Sequence, residues 1–534
     1  MWMLIGSSLG LLYLYKKKDI DFIKDLKTVL ISTPALLIYL LLISFIVYWK
    51  SITNYFVGDD FTWLRWAAEC RKNLSGDCLS VIETVKGYFV DADGFFYRPG
   101  TKLYFLFMYT FFWLNNMTYH IVSIVLHFIN SFALLLLTLR LLKSKLLAFL
   151  AAVVFLTLSV HAETVMWISS VNHLAAVTCI SLSLILLLYW HQKKNILLLL
   201  ASLIFVFLSP LFHELGIVAP IIFIGIDFIL REKSSIVLVF KRWYYYVSLL
   251  QIPLYLFLRS SANSHWMQGD YSYNLAEIHY NIFGNLLGYL GLILVGNNFL
   301  SFYTSLREFG KTNPLIVLVS VVVTILLILT IGYLFKKRNS TDLKPYFVGL
   351  FLFITPLLPF LALGNIAFRY SYLASFGVII IIFAFINSRL ANLKKSLGNM
   401  TKILILLIIS VFIYVQLNQL YKAGMDWKKA GQVTYSLVAS FSQKYGGTQF
   451  QNPVFYFVNV PIRLGTAWIF PVGLEDAVYF TLQNEHTTVI QAESIESAFK
   501  SAEGSSSARV FEFDQKGNLE KVEIVTPTPP VTKK

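Results

Sequence analysis

The chain reads as a polytopic α-helical membrane protein of about eleven spans, followed by a small C-terminal α/β domain. Two observations predict this. Hydrophobic residues make up 57% of the 534 and charged residues only 14%, a balance that belongs to membrane proteins. The lysines and arginines behind the net charge of +15 stand mainly in short clusters between apolar runs, which is a topology signal and excludes a nucleic-acid partner.

Residues 1–15 are apolar but short for a span, and Lys16, Lys17 and Lys18 follow them instead of preceding them, so they do not read as a secretory signal. The first span, 28–49, ends in the interfacial pair Tyr48 and Trp49. Lys16, Lys17, Lys18, Lys24 and Lys27 lie on its N-terminal side, which should be cytoplasmic. The loop 50–117 is then outside, and further spans fall at 118–139, 146–160, 169–190, 195–211, 213–230, 243–258, 314–335, 345–363, 371–387 and 402–420. The clusters at Arg140 to Lys145, Lys193 and Lys194, Arg231 to Arg242, Lys336 to Arg338 and Arg389 to Lys395 all land on the inner side. Counting 103–114 or 280–296 as crossings would break that pattern, so these two are expected to lie in or dip into the outer interface.

The membrane part should end near 420 and a water-soluble module fill 421–534. Segments 453–460, 509–514 and 519–525 read as strands, Leu474 to Leu482 as a helix, and the tail TPTPPVTKK as disordered. Cys70 and Cys78 share the first outer loop; they could pair in an oxidising compartment or stand as free thiols.

The chemistry-bearing stretch is Val57 to Arg65, VGDDFTWLR, which puts Asp59 and Asp60 at a membrane surface directly after a span. Paired acids raise each other's pKa and can accept a proton or hold a divalent cation, while Arg65 and Arg98 could receive a phosphate. The plainer alternative is a solvated pair of loop acids. Other polar groups gather on the same outer side: His161 and Glu163, then Asn172 and His173, then His213 and Glu214, then Arg369 and Tyr370. A charge near the bilayer needs water or a partner, so their coincidence predicts one shared polar cavity.

Taken in order, Asp59-Asp60, Tyr97-Arg98-Pro99, Tyr119-His120 with His127, His161 with Glu163 and Trp167, Glu214 with Pro220, and Arg369-Tyr370 with Tyr372, Ser375 and Gly377 form a series. It resembles the GT-C superfamily of membrane glycosyltransferases, most nearly the protein O-mannosyltransferase-like branch. The likeness covers about residues 50–380. The chain departs from the pattern in lacking tetratricopeptide repeats after the last span, in the missing Pro after His161, and in His213 where relatives often have Lys.

The resemblance implies an inverting transfer of a mannose-like sugar from a polyprenyl-phosphate donor, drawn from the membrane lipids, to a protein, glycan or lipid acceptor. Asp59 would be the general base and Asp60 its orienting partner. Arg98, Arg369 and Tyr370 would bind the donor phosphate, and His161, Glu163, His213 and Glu214 would face the acceptor or form a second acidic site. A divalent cation, Mg²⁺ or Mn²⁺, is the one cofactor in view, with Asp60 and Glu163 as its ligands. A prokaryotic plasma membrane is the first expectation for location and the endoplasmic reticulum the second. A transporter or flippase for a lipid-linked sugar, or a non-enzymatic scaffold, would share the topology; the transporter should add mid-bilayer charges and repeat symmetry between halves.

Overall fold

The computed structural model describes residues 32–69, 78–231, 241–264, 273, 277–313, 340–391, 395–445, 453–482, 486–502, 508–514 and 517–524, with short helical pieces between 318 and 326. The N-terminal lysine cluster, Cys70, most of the expected span 314–335 and the C-terminal tail lie outside these residues. In chain order the helices are α1 (Thr33–Tyr48), α2 (Asp59–Ala68), α3 (Val81–Val90), α4 (Pro99–Phe112), α5 (Asn116–Leu142), α6 (Lys145–Thr157), α7 (Ala162–Met166), α8 (Val171–Lys193) and α9 (Ile196–Phe212). They continue with α10 (Ala219–Leu230), α11 (Trp243–Ser261), α12 (Ile278–Val295), α13 (Phe299–Thr312), α14 (Ser340–Ile354), α15 (Ser371–Ala391) and α16 (Lys395–Tyr445).

Among the described residues, five helical segments are long and apolar enough to cross a membrane: Thr33–Thr53, Asn116–Leu142, Ile168–Lys193, Phe368–Ala391 and Met400–Gln443. The pair Lys145–Thr157 and Ser159–Met166, bent by 53°, makes a sixth if it is one broken span. Several other expected spans are helices that fall short in length or apolarity. The stretch expected as a span over 213–230 becomes helical (α10) only from Ala219, after a 3₁₀ turn over Glu214–Val218. The chain turns tightly there because Gly216 lies against the backbone of Ser209 and Pro210, where a Cβ would come within 2.2 Å of Pro210 N.

A seam of small polar groups joins the inner helices. On α5, Tyr119, Ser123, His127, Asn130 and Thr138 are buried at helical spacing. His127 Nδ1 lies 2.6 Å from the Tyr372 hydroxyl on α15, and Asn130 Nδ2 donates to that hydroxyl and to Thr178 Oγ1 on α8. Apolar side chains cannot distinguish a neighbouring helix from lipid, so these bonds help fix which helices meet.

Beyond the bundle the chain forms β1 (Val454–Val458), the hairpin β2 (Arg463–Leu464) and β3 (Ala467–Trp468), α17 (Leu474–Leu482), β4 (Thr488–Ala492), α18 (Ile495–Ala502), β5 (Ala508–Phe513) and β6 (Leu519–Ile524). The sheet order is β4-β1-β5-β6, with β1 parallel to β4 and β5, and β6 antiparallel to β5. The unbroken apolar run Phe455 to Val458 is buried, as a central parallel strand requires. β4 was not expected; it is an edge strand whose residues are exposed or half-buried, so it lacks an alternating pattern.

The expected domain boundary at 421 falls inside one continuous helix. α16 runs 51 residues, about 76 Å at 1.5 Å per residue, because no proline interrupts it and its apolar stripe carries on. Trp427, Ala430, Val433, Leu437 and Phe441 are buried at intervals of three or four. Gly431 lets the Tyr55 backbone approach, a Cβ there meeting Tyr55 N at 2.8 Å, and Thr434 Oγ1 donates to Phe56 O at 2.5 Å.

The C-terminal domain also touches the bundle at Gly58, whose φ is +24° and whose Cβ would meet Ile469 O at 2.6 Å and Val472 O at 2.9 Å. Gly58→Ala should therefore cost about 1–3 kcal/mol through backbone strain and separation of the domain. The expected result is a lower Tm and faster proteolysis of purified protein.

Candidate active site

The site is built where one end of the helix bundle meets the C-terminal domain. Gly58 is the N-cap of α2, so Asp59 and Asp60 occupy the helix's first turn, where the N-terminus favours negative charge. The two acids then diverge. Asp60 is buried and accepts three hydrogen bonds, from Val57 N (2.9 Å), Ser169 N (2.7 Å) and Ser169 Oγ (2.5 Å). Burial pushes its carboxyl up to about 7 while those donors pull it back. It ties α2 to the turn before α8.

Asp59 instead lines the cavity. Its Oδ1 is buried and has no hydrogen-bond partner among the described residues. Burial raises its pKa to about 6, against the opposing pull of Arg369 and Arg98. Two adjoining spaces share it. The larger, about 530 Å³, is lined by Asp59, Glu163, Trp167, Arg369 and Tyr370 together with residues of the C-terminal domain. The smaller, about 50 Å³, adds Arg98, Ser169 and His213.

The charged residues of the site are paired across the bundle. Arg369 Nη1 binds Glu163 Oε1, and its Nη2 lies 3.4 Å from the Tyr370 hydroxyl. Tyr370 itself stacks on Phe360 with ring centres 3.8 Å apart. Arg98 holds Glu214 by two nitrogens, Nε at 3.1 Å and Nη2 at 2.7 Å from Oε2, and lies over the Phe96 ring. Arg259 is 4.0 Å from the other Glu214 oxygen. His213 Nδ1 accepts from Leu215 N at 3.1 Å, which leaves its Nε2 to carry the proton.

His161 faces neither space. It is fully buried, Nδ1 donates to Phe155 O (3.0 Å) and Nε2 lies 3.1 Å from Ser375 Oγ, so it joins the interhelical seam. Arg65 is also away from the cavity, held by Glu69, Glu475 and Asp476. Glu214 lines neither space and contributes through Arg98. The residues that would hold a divalent cation do not fit the task in this arrangement: Asp60 accepts from three donors and Glu163 from Arg369. Among the described residues no group of three or more His, Cys, Asp or Glu is disposed for a metal.

Sequence reasoning missed the cavity's far wall, Arg463, Trp468, Pro471 and Val472. These lie some four hundred residues beyond Asp59 and no local pattern marks them. Phe95 and Phe96, beside Arg98 and in both linings, carried only the signal of an aromatic pair preceding Tyr97. No known protein family matches this chain, and no curated protein matches it significantly.

Removing Asp60 would strand two buried backbone N–H groups. Asp60→Ala should cost about 1–3 kcal/mol from unsatisfied buried donors, read as a reduced Tm in detergent.

Proposed function

We propose that this protein is an inverting membrane glycosyltransferase that moves a mannose-like sugar from a polyprenyl-phosphate donor to an acceptor hydroxyl on the extracytoplasmic side. The observation that carries this reading is Asp59: a carboxylate at the membrane surface with an uncommitted buried oxygen, on a cavity wall shared with Arg369 and beside Arg98. In the reaction the acceptor oxygen forms a bond to the anomeric carbon as Asp59 takes its proton. The bond from that carbon to the phosphate oxygen breaks, and the lipid phosphate leaves with the electron pair. Negative charge grows on that phosphate, and Arg369, Arg98 and the His213 Nε2–H stabilise it by opposite charge and hydrogen bonding. Asp60 acts by positioning α2.

An apolar groove supports a lipid-linked donor. About 570 Å³ in volume, it runs between α9 and α11 from Leu200 and Trp243 to Leu211 and Leu258. Its end at Leu211, Tyr255 and Leu258 packs on Tyr97, the residue before Arg98, so a prenyl chain lying in it would bring its phosphate toward the arginines.

The topology is part of the same proposal: about eleven spans, with α2, α3 and the C-terminal domain outside. Cys78 is disulfide-bonded, which suits an oxidising compartment. Ser440 on α16 is exposed. Ser440→Cys should react with a membrane-impermeant maleimide in intact cells, and protection there until lysis would overturn the sidedness.

Asp59→Asn keeps the shape but cannot accept the proton, so a loss of about 10²–10⁴-fold in transfer rate is expected in reconstituted membranes supplied with polyprenyl-phosphate mannose. Because only ionised Asp59 is a base, the wild-type rate should rise with pH through a midpoint near 6. Near-normal transfer by folded Asp59→Asn protein would remove Asp59 from the mechanism. If wild-type protein transfers nothing across a panel of donors and acceptors, the transporter and scaffold readings take over.

A further inference from the structure

The C-terminal domain supplies one wall of the cavity, and its chemistry differs from the rest. β2 and β3 present Arg463 and Trp468 side by side, with the guanidinium carbon 4.6 Å from the indole centre. Arg463 is exposed; its Nε donates to Gly465 O, and it pairs with no carboxylate among the described residues. Glu163 is paired with Arg369, whereas Arg463 lines the mouth of the cavity without a carboxylate in contact among the described residues.

Two indoles face this space. Trp167 and Trp468 both line it, and each has a buried Nε1–H with no acceptor among the described residues. The hairpin is also held in place: Asp426 on α16 accepts from Thr466 N (2.9 Å) and Thr466 Oγ1 (3.1 Å). Gly465 sits so close to that carboxylate that a Cβ would come within 2.3 Å of it.

We infer that the β2–β3 hairpin is the acceptor-binding rim of this cavity, and that it takes an anionic carbohydrate. A sugar ring offers a C–H face to the aromatic surfaces, and an acidic substituent would pair with Arg463. The inference rests on the glycosyltransferase reading for the word acceptor. The binding surface itself stands on the geometry.

The test uses the full chain in lipid nanodiscs, titrated with tetragalacturonate and with a neutral galactose tetramer, and separately with polyprenyl-phosphate mannose. Wild type should prefer the charged tetramer by about tenfold, the effect of one charged hydrogen bond. Arg463→Ala should abolish the preference and Arg463→Lys keep most of it. Trp468→Ala should weaken both tetramers by about tenfold, and Trp468→Phe should retain them, which separates stacking from collapse of the domain. Donor affinity should be the same in all four variants. Equal binding of the two tetramers by wild type, or unchanged binding in Arg463→Ala and Trp468→Ala, would overturn the rim assignment. Wild type that binds tetragalacturonate but no polyprenyl-phosphate mannose would instead sink the glycosyltransferase reading and leave the carbohydrate rim intact.

Discussion

Burying charge is the constraint from which the cavity end of this molecule follows. Asp59, Asp60, Glu163, Arg369, Arg98 and Glu214 stand among aromatic rings, where an unpartnered ion is expensive. The fold resolves this by long-range pairing: Arg369 reaches Glu163 from 206 positions away and Arg98 reaches Glu214 from 116. Removing Arg369 or Glu214 costs about 3–5 kcal/mol, because the partner left behind, Glu163 or Arg98, is buried. The helix ends that bear these residues are thereby fixed against one another, and the cavity is the space between them.

Asp60 sets the geometry at closer range. Its three accepted hydrogen bonds consume both oxygens, which orients the first turn of α2 and turns the neighbouring carboxylate into the cavity. Adjacent residues on a helix point about 100° apart, so committing one acid to the protein presents the other to the space beside it. A pair alike in sequence thus becomes one anchor and one carboxylate on the cavity wall.

Much of this was legible in the sequence, and the failures have physical causes. Hydropathy and basic clusters located most helices because backbone hydrogen bonding in lipid leaves few alternatives. The gathering of Asp59, Glu163, Arg98, His213 and Arg369 followed from their sidedness. The pairing among them did not, since it depends on rotamers and distances that periodicity leaves open: Glu163 and Arg369, expected in different roles, turned out to bind one another. His161 was misplaced for a related reason, as a histidine at a helix end can face solvent or a neighbouring helix, and here Phe155 and Ser375 take both nitrogens. The boundary at 421 followed composition, whereas a helix continues while its stripe finds a surface, and Tyr55 and the sheet provide one for α16.

That uninterrupted helix joins the bundle, the hairpin and the sheet through one rigid element. The 25 residues after 420 extend about 37 Å past the expected end of the span, and they carry Asp426, which grips the hairpin, and Gly431, which is seated on Tyr55. The residue next to Asp426, Trp427, stacks on Trp167 with ring centres 6.0 Å apart, so a single turn of one helix sets the positions of both indole walls of the cavity at once.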